Sequence, residues 1–275
     1  MNRNTLNRIK YIIIITCLIL AIIEYKYILL SIRYLSDPAP MSISTNNFPK
    51  IIHLIYFPWD KTGKLKDNEN DFNHKFYDIF KVNNPEWEVR LWTLSKMKQF
   101  ISNNYKQYSD IWKIVKHPTQ TVDFCRLLIT YHYGGIYWQY DSIQKAPLET
   151  FIPPHGKSIR LFVEGLVPTS ISIIHGYEKI REYKMEENIR VANQVFSAYP
   201  KNNFLLYTLT KSWNNLHRFK VESDYDILYI GANGMISEAY DEYTNKNDIY
   251  LTYNTSKYIK ISSNGSWRQS ANTNR

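Results

Sequence analysis

Asp123 and Arg126 stand three residues apart in a stretch with helical periodicity, and Asp141 directly follows the run Ile136-Tyr-Trp-Gln-Tyr140. Three apart on a helix puts a carboxylate and a guanidinium on one face. A carboxylate just past an apolar strand sits where a core ends and a cleft begins, and it can hold a divalent ion against a diphosphate there. In open α/β sheets, ligands bind in that crevice beyond the C-terminal strand ends. Each feature also has a plain explanation: a solvated ion pair of little worth, a helix stop at Gly134-Gly135, and a turn aspartate. The order of the three along the chain favours chemistry.

The elements that must position them follow from the pattern. Ile51 to Phe57 is a short apolar run ahead of Pro58, read as a buried strand, and Trp87 to Trp92 alternates as a second. Between them, Asp71 to Phe80 shows a helical face, and Asn84-Pro85 is a turn. Leu94 to Tyr108, Ile111 to Val115 and Thr119 to His132 read as helices, followed by a strand at Ile136 to Tyr140. Arg160 to Glu164 and Ile171 to Ile174 are further strand candidates. Ile189 to Ala198 and Asn203 to Leu216 read as helical, and Tyr250 to Arg275 as irregular. Strands alternating with helices predict an α/β domain with a largely parallel sheet.

The chain has 275 residues and a net charge of +9, with a composition that is 44% hydrophobic and excludes a mostly disordered protein. Residues 1–35 hold Arg3, Arg8, Lys10, Lys26 and Arg33 against Glu24 alone, so +4 lies there and +5 remains for the other 240 residues. Those residues contain no basic block and no nucleic-acid-binding signature, which argues against a nucleic-acid partner. Tyr11 to Ile23 is an apolar run preceded by Arg3, Arg8 and Lys10, and Tyr25 and Tyr27 suit an interface belt. A signal-anchor with a cytoplasmic N-terminus is expected, ahead of a cleaved signal peptide. Residues 36–48 read as a stem and 49–275 as one globular domain. Cys17 and Cys125 form no disulfide framework.

The ordered pieces Pro49-Lys50-Ile51-Ile52-His53-Leu54-Ile55-Tyr56, Asn84-Pro85…Trp92 and Asp123-x-x-Arg126…Tyr133-Gly134-Gly135-Ile136-Tyr137-x-Gln139-x-Asp141 resemble the glycosyltransferase family with the DXD sugar-binding region. That family groups Golgi α-mannosyltransferases, inositol-phosphoceramide mannosyltransferases, α-1,4-galactosyltransferases and glucosylating toxin domains. Arg190-Val-Ala-Asn193, Gly231-Ala-Asn-Gly234 and Gly265-Ser266-Trp267 are similar to its Asn-containing helix, Gly-rich turn and C-terminal Ser-Trp loop. The resemblance implies a GT-A-like fold with one Rossmann-like nucleotide-sugar-binding domain. It also implies a nucleotide-sugar donor, a divalent cation (usually manganese) and transfer of a hexose to a glycan or glycolipid with retention of configuration. The setting it implies, with the anchor, is a single-pass type II protein of Golgi or endoplasmic reticulum type with a luminal domain.

Carried onto this chain, the resemblance puts Tyr56 on the nucleotide base, Asp123 and Arg126 on the donor sugar, and Tyr137 near the ribose and diphosphate. Asp141 becomes the metal ligand, while Ser266 and Trp267 close over the diphosphate. Glu164 and Asn193 are candidates for the acceptor side, each with an ordinary structural alternative. Gln139 departs from the pattern, standing where the family has the first Asp of the DXD. An amide can bond a ribose hydroxyl but brings no charge to a cation. A second reading is therefore a pseudo-glycosyltransferase that keeps the fold and acts as a binding or scaffold protein.

Overall fold

A computed structural model describes residues 3–37, 47–60, 62–67, 72, 74–167, 189–222 and 224–260. The expected strand at Ile171 to Ile174 and the loop carrying Ser266 and Trp267 lie outside these residues. The order is α1 (Arg3–Ile23), α2 (Tyr25–Ser36), β1 (Ile51–Ile55), α3 (His74–Asn83), β2 (Glu88–Trp92), α4 (Leu94–Asn104), α5 (Ile111–Ile114) and α6 (Pro118–Tyr133). There follow β3 (Gly135–Trp138), β4 (Ile143–Gln144), β5 (Ile159–Leu166), β6 (Ile189–Ala198), α7 (Asn203–Arg218), α8 (Asp224–Gly231), α9 (Asn233–Glu242), β7 (Ile249–Thr252) and β8 (Ile259–Lys260).

Six strands make one sheet in the order β2-β1-β3-β6-β5-β7, and β4 pairs with β8 beside it. Only β6 runs against the others: β1 is parallel to β2 and β3, β7 is parallel to β5, and β6 is antiparallel to both its neighbours. Side chains alternate between two buried faces. Tyr137, Leu161 and Val163 point to a layer built with Phe124, Leu128, Leu209 and Met235, while Ile136, Trp138 and Phe162 point to one built with Phe80, Phe151 and Tyr258. This is a mixed α/β domain with a mostly parallel sheet, its parallel strand ends gathered on one edge.

Ile189 to Ala198 is a strand, where the sequence pattern suggested a helix. Nearly every side chain along it is buried, so no polar stripe marks a helical period, and its β-branched residues suit a central ladder. Asn193 is therefore carried by a strand. Part of the expected irregular tail is likewise ordered, with β7 added to the sheet edge beside β5.

Helix α6 has sharply defined ends. Pro118 occupies its first turn, the Gln120 carboxamide accepts from the His117 backbone N–H at 3.1 Å, and His117 Nδ1 accepts from Thr119 N at 3.2 Å. Gly134 (φ 67°) stops it, and its N–H still reaches the Thr130 carbonyl at 2.9 Å. His53 ties this stop to the sheet. Its Nδ1 accepts from Trp92 Nε1 at 3.1 Å, which leaves Nε2 to donate to the Gly134 carbonyl at 2.9 Å. Complete burial pushes its pKa down to about 3, so the ring is neutral and structural.

Candidate active site

The second turn of α6 faces β6 across a buried polar layer. Arg126 Nη2 lies 2.7 Å from Asp123 Oδ1, with 6% and 1% of the two side chains exposed. The solvated-pair explanation therefore fails, because both charges are removed from water. Arg126 Nη1 donates to the Asn193 carbonyl, Asn193 Nδ2 donates to Asp123 Oδ1 at 3.2 Å, and the guanidinium lies 4.8 Å from the centre of the Tyr137 ring. Tyr137 is itself fully buried, its hydroxyl pushed up to about 12 by that burial, and it underlies Arg126. Gly231, at the end of α8, brings its Cα against Asp123, where an added Cβ would meet the Asp123 Cβ at 3.6 Å.

Asp123 Oδ2 is buried and has no hydrogen-bond partner among the described residues. A buried carboxylate oxygen without a donor is costly, and it marks a place where a ligand hydroxyl would be bound well. Burial pushes the Asp123 carboxyl up to about 6, with Arg126 and then Asn193 pulling it back down. Because this acid's folded pKa is raised, its ionisation costs stability above about 6, and the cost is relieved as pH falls toward the ordinary 3.8. Recognition of a hydroxyl needs the ionised oxygen. Affinity for a hydroxyl-bearing ligand, with nucleotide sugars as the probes, is accordingly expected to rise with pH through about 6 and to lose that step in Asp123→Asn, as read by calorimetric titration across pH 5 to 8.

The turn after β3 is held from three sides. The Trp138 indole donates to the Ser142 carbonyl at 3.0 Å, Ser142 N donates to the Gln139 carbonyl at 2.9 Å, and Gln139 N donates to the Gln194 carbonyl at 2.8 Å. Within it, Gln139 Nε2 donates to Asp141 Oδ1 at 2.7 Å. Tyr56, just past β1, meets Tyr140 and Phe72 edge-on at 5.6 and 5.0 Å, so an aromatic group flanks the turn. Among the described residues no group of three His, Cys, Asp or Glu side chains converges. Asp141 is a single carboxylate with one oxygen already bonded to an amide. A divalent cation, which takes about six or more oxygens, would therefore draw most of them here from a bound diphosphate and water, with Asp141 as its carboxylate among the described residues.

Glu164, near the end of β5, is more heavily engaged than a strand-end surface residue. Arg190 Nε lies 2.9 Å from its Oε2, Asn233 Nδ2 also donates to Oε2, and Gln194 Nε2 donates to Oε1 at 3.3 Å. Gln194 thus links the Gln139 turn to Glu164, and its own Oε1 is buried without a partner among the described residues. Sequence reasoning named Glu164 and Asn193 but missed Gln194, Arg190 and Asn233 as parts of one layer. Their positions beside Asn193 and between Gly231 and Gly234 were the available signal.

The domain thus joins an α/β sheet with one reversed strand to a buried Asp–Arg pair and an acidic turn past the third strand. Residues 71–158 match the family described as the glycosyltransferase sugar-binding region containing DXD motif. It contains Asp123, Arg126, Tyr137, Gln139 and Asp141. The chain is similar to inositol phosphoceramide mannosyltransferase 1 of Schizosaccharomyces pombe, 22% identical over 84% of this chain and 58% of that one. It is also similar to the mannosyl phosphorylinositol ceramide synthase SUR1 of Saccharomyces cerevisiae, 31% identical over 34% of this chain and 22% of that one. The match thus spans little more than half of the first relative and less of the second. Among solved structures, PaToxG glycosyltransferase is similar at 19% identity over 80% of this chain and 76% of that one, with a TM-score of 0.35.

Proposed function

We propose that this chain is a membrane-anchored hexosyltransferase that moves a sugar, mannose by similarity to its relatives, from a nucleotide donor to an inositol phosphoceramide-type glycolipid. The observation that carries this reading is the unpartnered, buried Oδ2 of Asp123 beside Arg126. In the proposed complex, Oδ2 accepts from a donor-sugar hydroxyl and Arg126 fixes the carboxylate. Tyr56 stacks against the base, Gln139 and Asp141 receive ribose or sugar hydroxyls, and the loop with Ser266 and Trp267 covers the diphosphate. Glu164 and Asn193, with Gln194 between them, border the acceptor side. The sugar C1–oxygen bond to the diphosphate breaks as the acceptor oxygen bonds C1 on the same face, and the acceptor proton passes to the departing phosphate oxygen. No strong protein base is required, so catalysis rests on positioning and electrostatics.

Helix α1 contains Thr5–Ile23, long and apolar enough to cross a membrane and wholly unburied. With Arg3, Arg8 and Lys10 ahead of it, we assign a type II orientation in the Golgi or endoplasmic reticulum, with the domain in the lumen. The test is sugar transfer by the detergent-purified full chain, with a panel of nucleotide sugars and inositol phosphoceramide. Absence of both transfer and donor hydrolysis for every donor would sink the reading.

One observation favours the second reading, a binding protein without turnover: the Gln139 amide donates to one oxygen of Asp141 where a second carboxylate would have added charge for a cation. Gln139→Asp is expected to create a divalent site, tightening manganese binding by about tenfold or more, because two facing carboxylates repel until a cation sits between them. Activity gained from nothing in that variant would favour the binding protein. Activity present in the parent and little changed would favour the enzyme.

A further inference from the structure

Helix α2 follows α1 after a one-residue interruption at Glu24, whose backbone still bonds to Leu20 and Ile28, and it has two apolar faces rather than one. Leu30 and Tyr34 pack against the core of the domain, with Tyr27 half-buried on the same side. The other side carries Tyr25, Ile28, Leu29, Ile32 and Leu35, of which Leu35 is 79% exposed. Spacings of three and four residues place these five on one stripe. A soluble domain has no reason to present that stripe to water.

The C-terminal end of α2 is tied to the sheet edge. Asp37 Oδ2 accepts from the backbone N–H groups of Tyr253 and Asn254 at 3.1 and 3.0 Å. Lys257 Nζ donates to the Asp37 carbonyl, and the Arg33 guanidinium lies 4.5 Å from the centre of the Tyr253 ring. Tyr253 and Asn254 continue β7 beyond Thr252, and Thr255 Oγ1 donates to the Val163 carbonyl, one residue before Glu164. The tie therefore lies on the edge where the parallel strands end, beside the Glu164 layer.

We infer that α2 is an interfacial strap. Its Tyr25–Leu35 stripe is buried at the headgroup–acyl boundary of the bilayer that α1 crosses, and its other face holds the domain with the strand ends close to that bilayer. Continuity with α1 identifies the occupant: a helix emerging from the hydrocarbon with an apolar stripe lies along the interface. The inference rests on the anchor reading of α1 and gives it a consequence, because an acceptor would then be met as a lipid of the same membrane.

The test uses the full chain with Cys17→Ser, a fluorophore on Leu35→Cys or Ile15→Cys, and phosphatidylcholine liposomes with or without brominated acyl chains. Cys125 is fully buried and can stay. Both labels are expected to be quenched by brominated lipid and to resist aqueous iodide about threefold or more relative to free dye, as interfacial burial requires. Iodide access at 35 with lipid quenching at 15 overturns the strap and leaves the anchor. Iodide access at both positions removes the anchor itself. Shielding at 35 from iodide without lipid quenching overturns the strap in favour of a second copy of the chain. Spin labels on Leu35→Cys and Leu206→Cys should give one narrow distance that broadens with Asp37→Ala, whereas a broad distribution in the parent overturns the docking.

Discussion

Gly135→Ala is expected to lower the thermal midpoint of the full chain by about 10 °C or more and to leave much of it unfolded on expression. Gly135 opens β3 at φ +90°, a region that side chains avoid, and a Cβ there would stand 2.4 Å from the Ile51 carbonyl oxygen. The obstacle is the backbone of the neighbouring strand, so no side-chain rotation can relieve it. β1 would have to leave β3, losing the pairing of Ile52 with Ile136 and of His53 with Tyr137. Positive φ alone costs an alanine about 1–2 kcal/mol, and a displaced ladder adds to it, giving about 3–5 kcal/mol against a total of about 5–15. Two controls divide that sum. Among the described residues nothing lies within 4 Å of a Cβ at Gly156 (φ +77°) or Gly165, so Gly156→Ala reports the backbone part, while Gly165, with ordinary φ, should be nearly silent. Melts monitored by circular dichroism rank the three. If Gly135→Ala melts with Gly165→Ala, the close approach of β1 and β3 is wrong.

The same dipeptide shows what was legible from sequence. Gly134-Gly135 read as a helix stop, which Gly134 is, but the second glycine serves a contact with Ile51, and residues 84 positions apart give no local pattern. Asp123 and Arg126 were legible because three residues on a helix is a local relation, and the pair forms as spaced. The Glu164 layer was not, because Arg190, Gln194 and Asn233 reach it from far along the chain. Its recognition also needed Ile189–Ala198 to be a strand, and a short apolar run buried on both sides carries no decisive period. Tyr137 shows a limit of another kind. A motif position fixes a residue's place in the order but not the direction of its ring, which here lies beneath Arg126, away from any open surface.

Arg126→Met is expected to lower donor turnover by about 100-fold or more and to destabilise the domain by about 3–5 kcal/mol, since it leaves Asp123 as a buried, unpaired charge. The stability loss and the activity loss have different origins and can be separated. The guanidinium neutralises Asp123 within α6, donates to the Asn193 carbonyl of β6 and covers Tyr137 of β3, so its removal loosens α6 from both strands. In the double variant Asp123→Asn/Arg126→Met no charge is stranded, and the amide can still meet Asn193. Much of the stability should return, as it does when buried ion pairs are replaced as a unit. Turnover should not return, because the ionised Oδ2 that a sugar hydroxyl would use has gone. Arg126→Lys keeps the charge but loses the two-pronged contact to Asp123 and Asn193, and should fall between the two. Melting curves set beside donor kinetics for the three variants decide the matter. A double variant that regains stability and turnover together would make the pair a folding element only, and the donor sugar would have to be held elsewhere. If it regains stability alone, the uncapped oxygen of Asp123 is the feature around which the rest of the site is built.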